Sequence, residues 1–493
     1  MAKLCLCLTG RTIQENLDVI ETYRGAADLA ELRADMLDPD EQYYIRSFPE
    51  RAGLPVILTI RRTVDGGLWA DGEGARMVLL AKGLAYADSD PRKNFAYVDL
   101  EEDLKVQSVE EAARAFGTRI IRSRHDVRGT PDDCSAALAA IPHNPDEIPK
   151  LAVRARSVED SIRILRAARS SSREDRIVLG MGDEGFWTRV VPDSLGSFLT
   201  YASAISGGKA SAACGQADPR VLLGAYRFRS IGPSTRLYAV AGRFAMGSPL
   251  MASLNEALAE RGEDAVFFPL PASSFAPFME FAGLLGLAGA VILPPLRAEA
   301  AAACQWRDET SRRTGSASFV RMSPRGWLGY DPDSPCGPAA RKAVVGRRWR
   351  FGRRGGVRGA GPAAEAAVGA LRSMGYRVIA SDRSLAFGRD GRAVGGVDWA
   401  GPEATALKVR PLGRVLIVKT ARTALDLRED DPLPEYTFTG EESVIDIVSG
   451  GEVSAFARRA SEAGCAVRDG TVFRRLQTER IVSLLASGEG ARR

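Results

Sequence analysis

The first half of the chain alternates short, β-branched apolar runs with longer stretches whose apolar positions recur every three or four residues. The first kind of run is the signature of a buried strand, the second of an amphipathic helix. Strands are predicted at 4–8, 29–33, 56–61, 96–101, 119–124, 150–153, 177–181 and 210–214. Helices are predicted at 73–87, 131–141 and 157–170, the last opened by Ser157 ahead of Glu159-Asp160. Eight strands, each followed by a helical stretch, are what a closed parallel (β/α)8 TIM barrel requires. Arg33, Arg61, Glu101, His125 and Met181-Gly182 fall at strand ends. In such a barrel the C-terminal strand ends form the active-site rim, so polar residues gathered there point to an enzyme.

The beat breaks between Tyr226 and Arg236, at Gly232-Pro233-Ser234-Thr235. A new α/β pattern follows, with strands at 237–241, 265–269 and 290–293. A Pro/Gly-rich stretch, 331–338, then leads into a basic segment, 341–358. A third unit has Gly359-Ala-Gly361, a helix to Met374, a strand at 376–380 and a closing polar helix at 472–486. The expected architecture is α/β throughout: a barrel over 1–228, then a two-lobed α/β half divided into 237–338 and a Rossmann-like lobe over 339–493.

At 493 residues the chain exceeds what one core supports, in keeping with several domains. A formal net charge of +5 is small for that length. The basic segment has few aromatics beyond Trp349 and Phe351, so it reads as a solvated connector and no nucleic-acid partner is expected. Seven scattered cysteines without a Cys-x-x-Cys pair, and only two histidines, leave no zinc-site pattern. There is no run of about 18 apolar residues to span a membrane. No segment of signal-peptide type precedes the first strand, and the expectation is a reduced, cytoplasmic protein.

Chemistry concentrates on two residues. His125 ends an apolar run, Arg119-Ile-Ile-Arg-Ser-Arg-His125, and histidine is the side chain suited to moving protons near neutrality. Lys150 opens the next strand, and a lysine among apolar strands can lose its proton and attack a carbonyl. Either residue alone is commonly structural or solvated. Polar residues on five strand ends of one barrel favour imine chemistry assisted by a proton shuttle.

Residues 1 to about 228 resemble type I 3-dehydroquinate dehydratase, an aldolase-like barrel of the shikimate pathway that needs no cofactor. Glu31-Leu-Arg33-Ala-Asp35 is similar to the family's second-strand motif, whose Glu and Arg hold substrate hydroxyls. Thr59-Ile-Arg61 with Asp65-Gly66-Gly67 resembles the third-strand motif, where an Arg contacts substrate and a Glu orients the histidine. Asp65 is one methylene shorter than that Glu. Ser123-Arg-His125-Asp126 resembles the histidine motif and Pro149-Lys150-Leu-Ala152 the Schiff-base lysine motif. Met181-Gly182 with Arg189 is similar to the segment whose Arg pairs with the substrate carboxylate. The closing loop, Ala210-Ser211-Ala-Ala-Cys-Gly215-Gln216, has Ser211 or Ala212 at the family serine position, and Gln216 after it.

The second half, 237 to 487, resembles shikimate dehydrogenase, with changes at its motifs. Ser248, Asp333 and Gln477 match substrate-site positions, while Arg297 stands where that family carries its catalytic lysine. Arginine stays protonated at ordinary pH and cannot lend a proton. Gly359 and Gly361 keep two glycines of the dinucleotide loop, with Pro362 at the third position, where it removes a backbone donor. Asp382 and Arg383 stand where the ribose or its 2′-phosphate is read, leaving NAD and NADP both open. Two readings follow: a dehydratase with an impaired or inactive dehydrogenase-like half, or a fully bifunctional enzyme using NADP. A different Schiff-base aldolase on the same barrel is a third, but it leaves Arg33, Arg61 and Arg189 together unexplained. The partner implied is a small molecule, 3-dehydroquinate with or without 3-dehydroshikimate, and a homodimer is allowed.

Overall fold

A computed structural model describes residues 1–85, 88–171, 175–204, 215–332, 354–358, 371, 377–381, 398–399, 415–420, 429–434, 436–447 and 453–486. The chain divides into two compact units, Met1–Ser248 with Gly262–Leu296 and Pro249–Arg261 with Arg297–Arg493.

In the first unit eight strands follow one another: β1 (Lys3–Leu8), β2 (Leu29–Arg33), β3 (Val56–Thr59), β4 (Tyr97–Glu101), β5 (Arg119–Asp126), β6 (Ile148–Arg154), β7 (Ile177–Met181) and β8 (Leu199–Ser203). They form one parallel sheet in the order β7-β6-β5-β4-β3-β2-β1-β8. The seam between β7 and β8 is joined at its base by a bridge between Arg176 and Ser197, where Phe198 N donates to Arg176 O at 2.7 Å. Ser197 Oγ accepts from Val178 N at 3.0 Å and donates to Val178 O at 3.2 Å, so a side chain completes the closure.

Seven of the eight predicted strands are present to within a few residues. The eighth strand of the sheet is Leu199–Ser203, and the predicted run 210–214 lies outside the described residues. Leu-Thr-Tyr-Ala-Ser offers β-branched and aromatic side chains that fill a pleated, buried surface, whereas Ala-Ser-Ala-Ala-Cys offers almost none. Of the predicted helices, Gly72–Leu84, Cys134–Ala139 and Val158–Ser170 form, and Ser157 Oγ accepts from Asp160 N at 3.2 Å as the expected cap.

The period of two along each strand sorts the barrel interior into layers. Ile57, Tyr97, Ile121 and Ile148 belong to an apolar floor. Two residues on, the same rows carry Thr59, Asp99, Ser123 and Lys150, and two further on come Arg61, Glu101 and His125. A second apolar cluster, including Leu32, Leu58, Val98 and Ile120, packs the outer strand face against the helices. The chemistry therefore stands on a dry base and opens at the C-terminal rim.

After the barrel the first unit adds a parallel sheet of β9 (Arg236–Ala241), β10 (Ala265–Leu270) and β11 (Gly289–Ile292), with β9 between the other two. The second unit has β12 (Trp306–Arg307) and an antiparallel hairpin of β13 (Phe319–Ser323) and β14 (Gly326–Tyr330). It also has six parallel strands, β15 (Arg354–Arg358), β16 (Arg377–Ser381), β17 (Asp398–Trp399), β18 (Leu416–Lys419), β19 (Ser443–Asp446) and β20 (Ala466–Asp469). Their order, β17-β16-β15-β18-β19-β20, is the doubly wound 3-2-1-4-5-6 order of a Rossmann sheet.

Candidate active site

A cavity of about 300 Å³ opens inside the barrel and is lined by Glu31, Arg33, Arg61, Asp65, His125, Lys150, Arg189 and Gln216. All the barrel residues singled out from the sequence thus share one space, except Ser211, which lies outside the described residues. The volume is at the small end for ligand pockets and suits a compact polar molecule.

Lys150 is buried on β6. Its Nζ donates to Asp99 Oδ2 at 2.8 Å and to Tyr201 Oη at 3.0 Å. Asp99 also pairs with Arg61 at 2.9 Å and accepts a hydrogen bond from Ser123 Oγ. Arg61 reaches on to Glu101 at 2.6 Å, and Glu101 to the buried Arg76. Burial alone would raise the Asp99 carboxyl, but Arg61 and Lys150 outweigh it and hold the group far below the usual carboxylate range. Burial pulls the Arg61 guanidinium down, and Asp99 and Glu101 more than reverse that. Tyr201 is pushed well above the ordinary phenol value by burial and by the nearby carboxylate of Glu31.

His125 faces the cavity, and its Nδ1 is closed off without a hydrogen-bond partner among the described residues. Its imidazole is held well below its ordinary value, first by burial, then by the positive charges of Arg61 and Lys150. It is therefore neutral at pH 7, the form that accepts a proton. Asp65 lines the same cavity; its Oδ2 accepts from Arg62 Nε at 2.6 Å, and Arg62 clasps Asp103 at 2.9 and 3.0 Å. The turn that places Asp65 needs its glycines. Gly66 adopts φ +84°, and a Cβ on Gly67 would lie 2.1 Å from Arg61 O.

Arg33 lies in a buried two-point pair with Asp35 at 2.7 and 2.9 Å. Glu31 accepts from Thr59 Oγ1 at 2.8 Å and from Cys7 Sγ at 3.2 Å, and Gln216 Nε2 lies 3.3 Å from Cys7 Sγ. Arg189 is buried and donates to Tyr201 O at 3.3 Å. The sequence reading missed Asp99, Ser123 and Tyr201. The period of two from Tyr97 and from Ile121 would have found the first two, since both stand one inward step below a rim residue.

Residues 4–233 match the family described as type I 3-dehydroquinase. The 3-dehydroquinate dehydratase of Methanosarcina acetivorans is 35% identical over 196 residues, covering 37% of this chain and 80% of that protein. The chain belongs to the type I 3-dehydroquinase family. Beyond the barrel, the likeness continues. The bifunctional 3-dehydroquinate dehydratase/shikimate dehydrogenase of Arabidopsis thaliana is 24% identical over 490 residues, 92% of this chain and 77% of that one. A solved shikimate dehydrogenase from Aquifex aeolicus, 21% identical, covers 52% of this chain and 93% of its own, with a TM-score of 0.43. The likeness to the Arabidopsis thaliana protein extends past the 3-dehydroquinase match into the second half of this chain.

Of the residues expected to act in that second half, Ser248 is half-buried in the first unit, while Arg297 and Gln477 fall in the second. Arg297 is buried and opens the helix Arg297–Ala303; Gln477 is half-buried on the helix Thr471–Ala486. Asp333, Gly359, Gly361, Asp382 and Arg383 lie outside the described residues. In a sheet of this order a dinucleotide sits at the C-terminal strand ends where the order reverses, here β15 and β18. Those ends carry Arg358 and Lys419, adjacent in register and both buried. Lys419 Nζ donates to Asp430 at 2.7 Å and Asp446 at 3.1 Å, and Arg358 Nε to Pro432 O at 3.1 Å. At the switch point Lys419 is thus engaged by two carboxylates, and Arg358 donates to a backbone carbonyl. No hydride-transfer step is assigned to this half. Among the described residues no helix is long and apolar enough to cross a membrane, and no group of side chains could hold a metal ion.

Proposed function

We propose that Lys150 and His125 carry the 3-dehydroquinate dehydratase reaction of this type I 3-dehydroquinase. The observation that supports the assignment is the convergence of both residues, with Arg33, Arg61 and Arg189, on one buried cavity. Lys150 must give up a proton before it attacks, and the neutral imidazole of His125 lines the same cavity to take it. The Nζ lone pair adds to the C3 ketone, and the carbonyl oxygen leaves as water, carrying one proton from the amine and the one that His125 had taken, which gives a protonated imine and returns His125 to its neutral form. His125 then removes the C2 proton, and the C–H electron pair becomes the C2–C3 double bond while the imine π pair moves onto nitrogen. The nitrogen pair then re-forms the imine, the C2–C3 π pair becomes the C1–C2 double bond, the C1–O bond breaks with its pair on oxygen, and His125 delivers its proton to the departing hydroxyl. Hydrolysis restores the amine and consumes the water released at condensation, so the net change is loss of one water. General acid–base help of this kind is typically worth ~10²–10⁴ in rate.

Arg189 offers a planar fork for the substrate carboxylate, a geometry that lysine cannot supply. Glu31, Arg33 and Gln216 hold hydroxyls, with Ser211 from the closing loop. No cofactor enters, because Lys150 provides the electron sink. The second half serves as a binding or structural module over the proposed lobes 237–338 and 339–493, since Arg297 cannot act as the acid of carbonyl reduction. The small-molecule partner excludes no homodimer; the setting is cytoplasmic and nucleic acid is not a partner. The test is a borohydride trap: 3-dehydroquinate plus reductant should leave a mass adduct on Lys150, and Lys150→Ala should abolish turnover and adduct together. Turnover surviving in Lys150→Ala overturns the assignment. NADPH oxidation with 3-dehydroshikimate would restore the bifunctional reading.

A further inference from the structure

We propose that Asp99 is a catalytic residue, the fixed counter-ion of the Lys150 imine nitrogen, which keeps that nitrogen protonated while the carbanion-like charge develops. The inference rests on the imine reading above. It starts from a geometric fact: Asp99 Oδ2 touches the one atom of Lys150 that becomes covalent, at 2.8 Å, and both side chains are buried. An imine works as an electron sink only while its nitrogen carries a proton. In a dry site that positive charge is costly unless a carboxylate faces it.

The surroundings make Asp99 suited to that task. Its Oδ1 accepts from Ser123 Oγ, and its Oδ2 is shared with Arg61 at 2.9 Å, so its orientation is fixed before substrate arrives. The groups around it and Lys150 are Arg61 two residues past β3, with Glu101 on β4 behind it, His125 on β5, Tyr201 on β8, and Cys5 and Glu31 on β1 and β2. Among them Asp99 is the carboxylate in contact with Nζ. Removing its charge would leave Lys150 and Arg61 as two buried cations beside each other. Condensation converts the ammonium into an iminium whose remaining N–H still points at Oδ2. Asp99 thus holds the same contact before and after the covalent step, and no rearrangement is needed at that moment. It neither gains nor loses a proton, because its carboxyl is kept ionised by Arg61 and Lys150.

The decisive experiment compares wild type with Asp99→Asn, an isosteric change. An opposite charge at this range moves a titration by ~1–3 pH units. The variant should therefore lose borohydride trapping at a pH ~1–3 units lower than wild type, with kcat falling along with it. Because Asp99→Asn can destabilise a buried network, a second measurement is made on the unmodified enzyme. Protein labelled with ¹⁵N-lysine and saturated with 3-dehydroshikimate should show a protonated iminium nitrogen from pH 6 to 9. A neutral imine signal within that range, or a folded Asp99→Asn protein that traps with the wild-type pH profile, overturns the counter-ion role. Absence of any adduct in wild type would instead overturn the imine reading itself.

Discussion

Asp65 directs its carboxylate at Arg62, with Oδ2 2.6 Å from Nε, while His125 Nδ1 has no hydrogen-bond partner among the described residues. A Glu in that place would carry the carboxylate one methylene further. Here the shorter side chain is captured by its neighbour three residues back, and Arg62 is itself clasped by Asp103. Among the described residues no hydrogen bond joins Asp65 to His125.

Asp65→Asn should accordingly leave kcat within about tenfold of wild type, whereas His125→Ala should cost ~10²–10⁴. Steady-state rates with 3-dehydroquinate decide it. A hundredfold loss in Asp65→Asn would mean that the carboxylate turns to the imidazole during turnover.

The histidine also makes stability depend on pH. His125 stays neutral in the folded protein below 6.5, its ordinary value, whereas in the unfolded chain it takes up a proton there. The unfolded state then binds more protons, so stability is fully present above about 6.5 and is lost as pH falls toward the depressed folded value. The slope is at most about 1.4 kcal/mol per pH unit for one group. Urea midpoints at pH 7.5, 6.5 and 5.5 should fall in that order, and His125→Gln should flatten the trend. The same shift places the acid limb of kcat/KM below pH 6.5.

Arg33 illustrates a second coupling, between its proposed substrate contact and folding. Both its Nε and one terminal nitrogen are held by Asp35, whose Oδ2 also accepts from Leu68 N at 3.0 Å. Asp35→Ala would leave a buried guanidinium uncompensated and release the loop that bears Leu68. Breaking a buried pair from one side costs about 3–5 kcal/mol. Denaturant unfolding should show that loss, and KM should rise with it; an unchanged midpoint would mean that Arg33 finds another anion.

How much of this could be read from the chain follows from what each residue depends on. Strand runs such as Ile177–Met181 and the rim residues Arg33, Arg61 and His125 are legible, because burial and a period of two leave a local trace. Asp99 was hidden for a different reason. A lone acid within Tyr97–Glu101 is indistinguishable from a surface pair until the barrel brings Lys150 and Arg61 to it from 51 residues after and 38 before. Leu199–Ser203 leaves a weaker trace, because its five residues follow closely on the Pro192–Leu195 turn, with only Gly196, Ser197 and Phe198 between. The strand Arg354–Arg358, too polar for a core strand by its sequence, pairs with strands on both sides, and its Arg358 donates to Pro432 O.

Lys419 gives the sharpest test of the second unit. It ends β18 fully buried and stands between Asp430 and Asp446, and Asp446 also accepts from Ser454 Oγ. Two carboxylates meet at one buried ammonium. Lys419→Met keeps the bulk and removes the cation that both contact. Breaking a buried pair from one side costs about 3–5 kcal/mol, and that loss is expected here. Hydrogen exchange of the β19 amides, Ser443–Asp446, should quicken accordingly. Protection equal to wild type would show that the ion cluster does not anchor the C-terminal edge of this sheet.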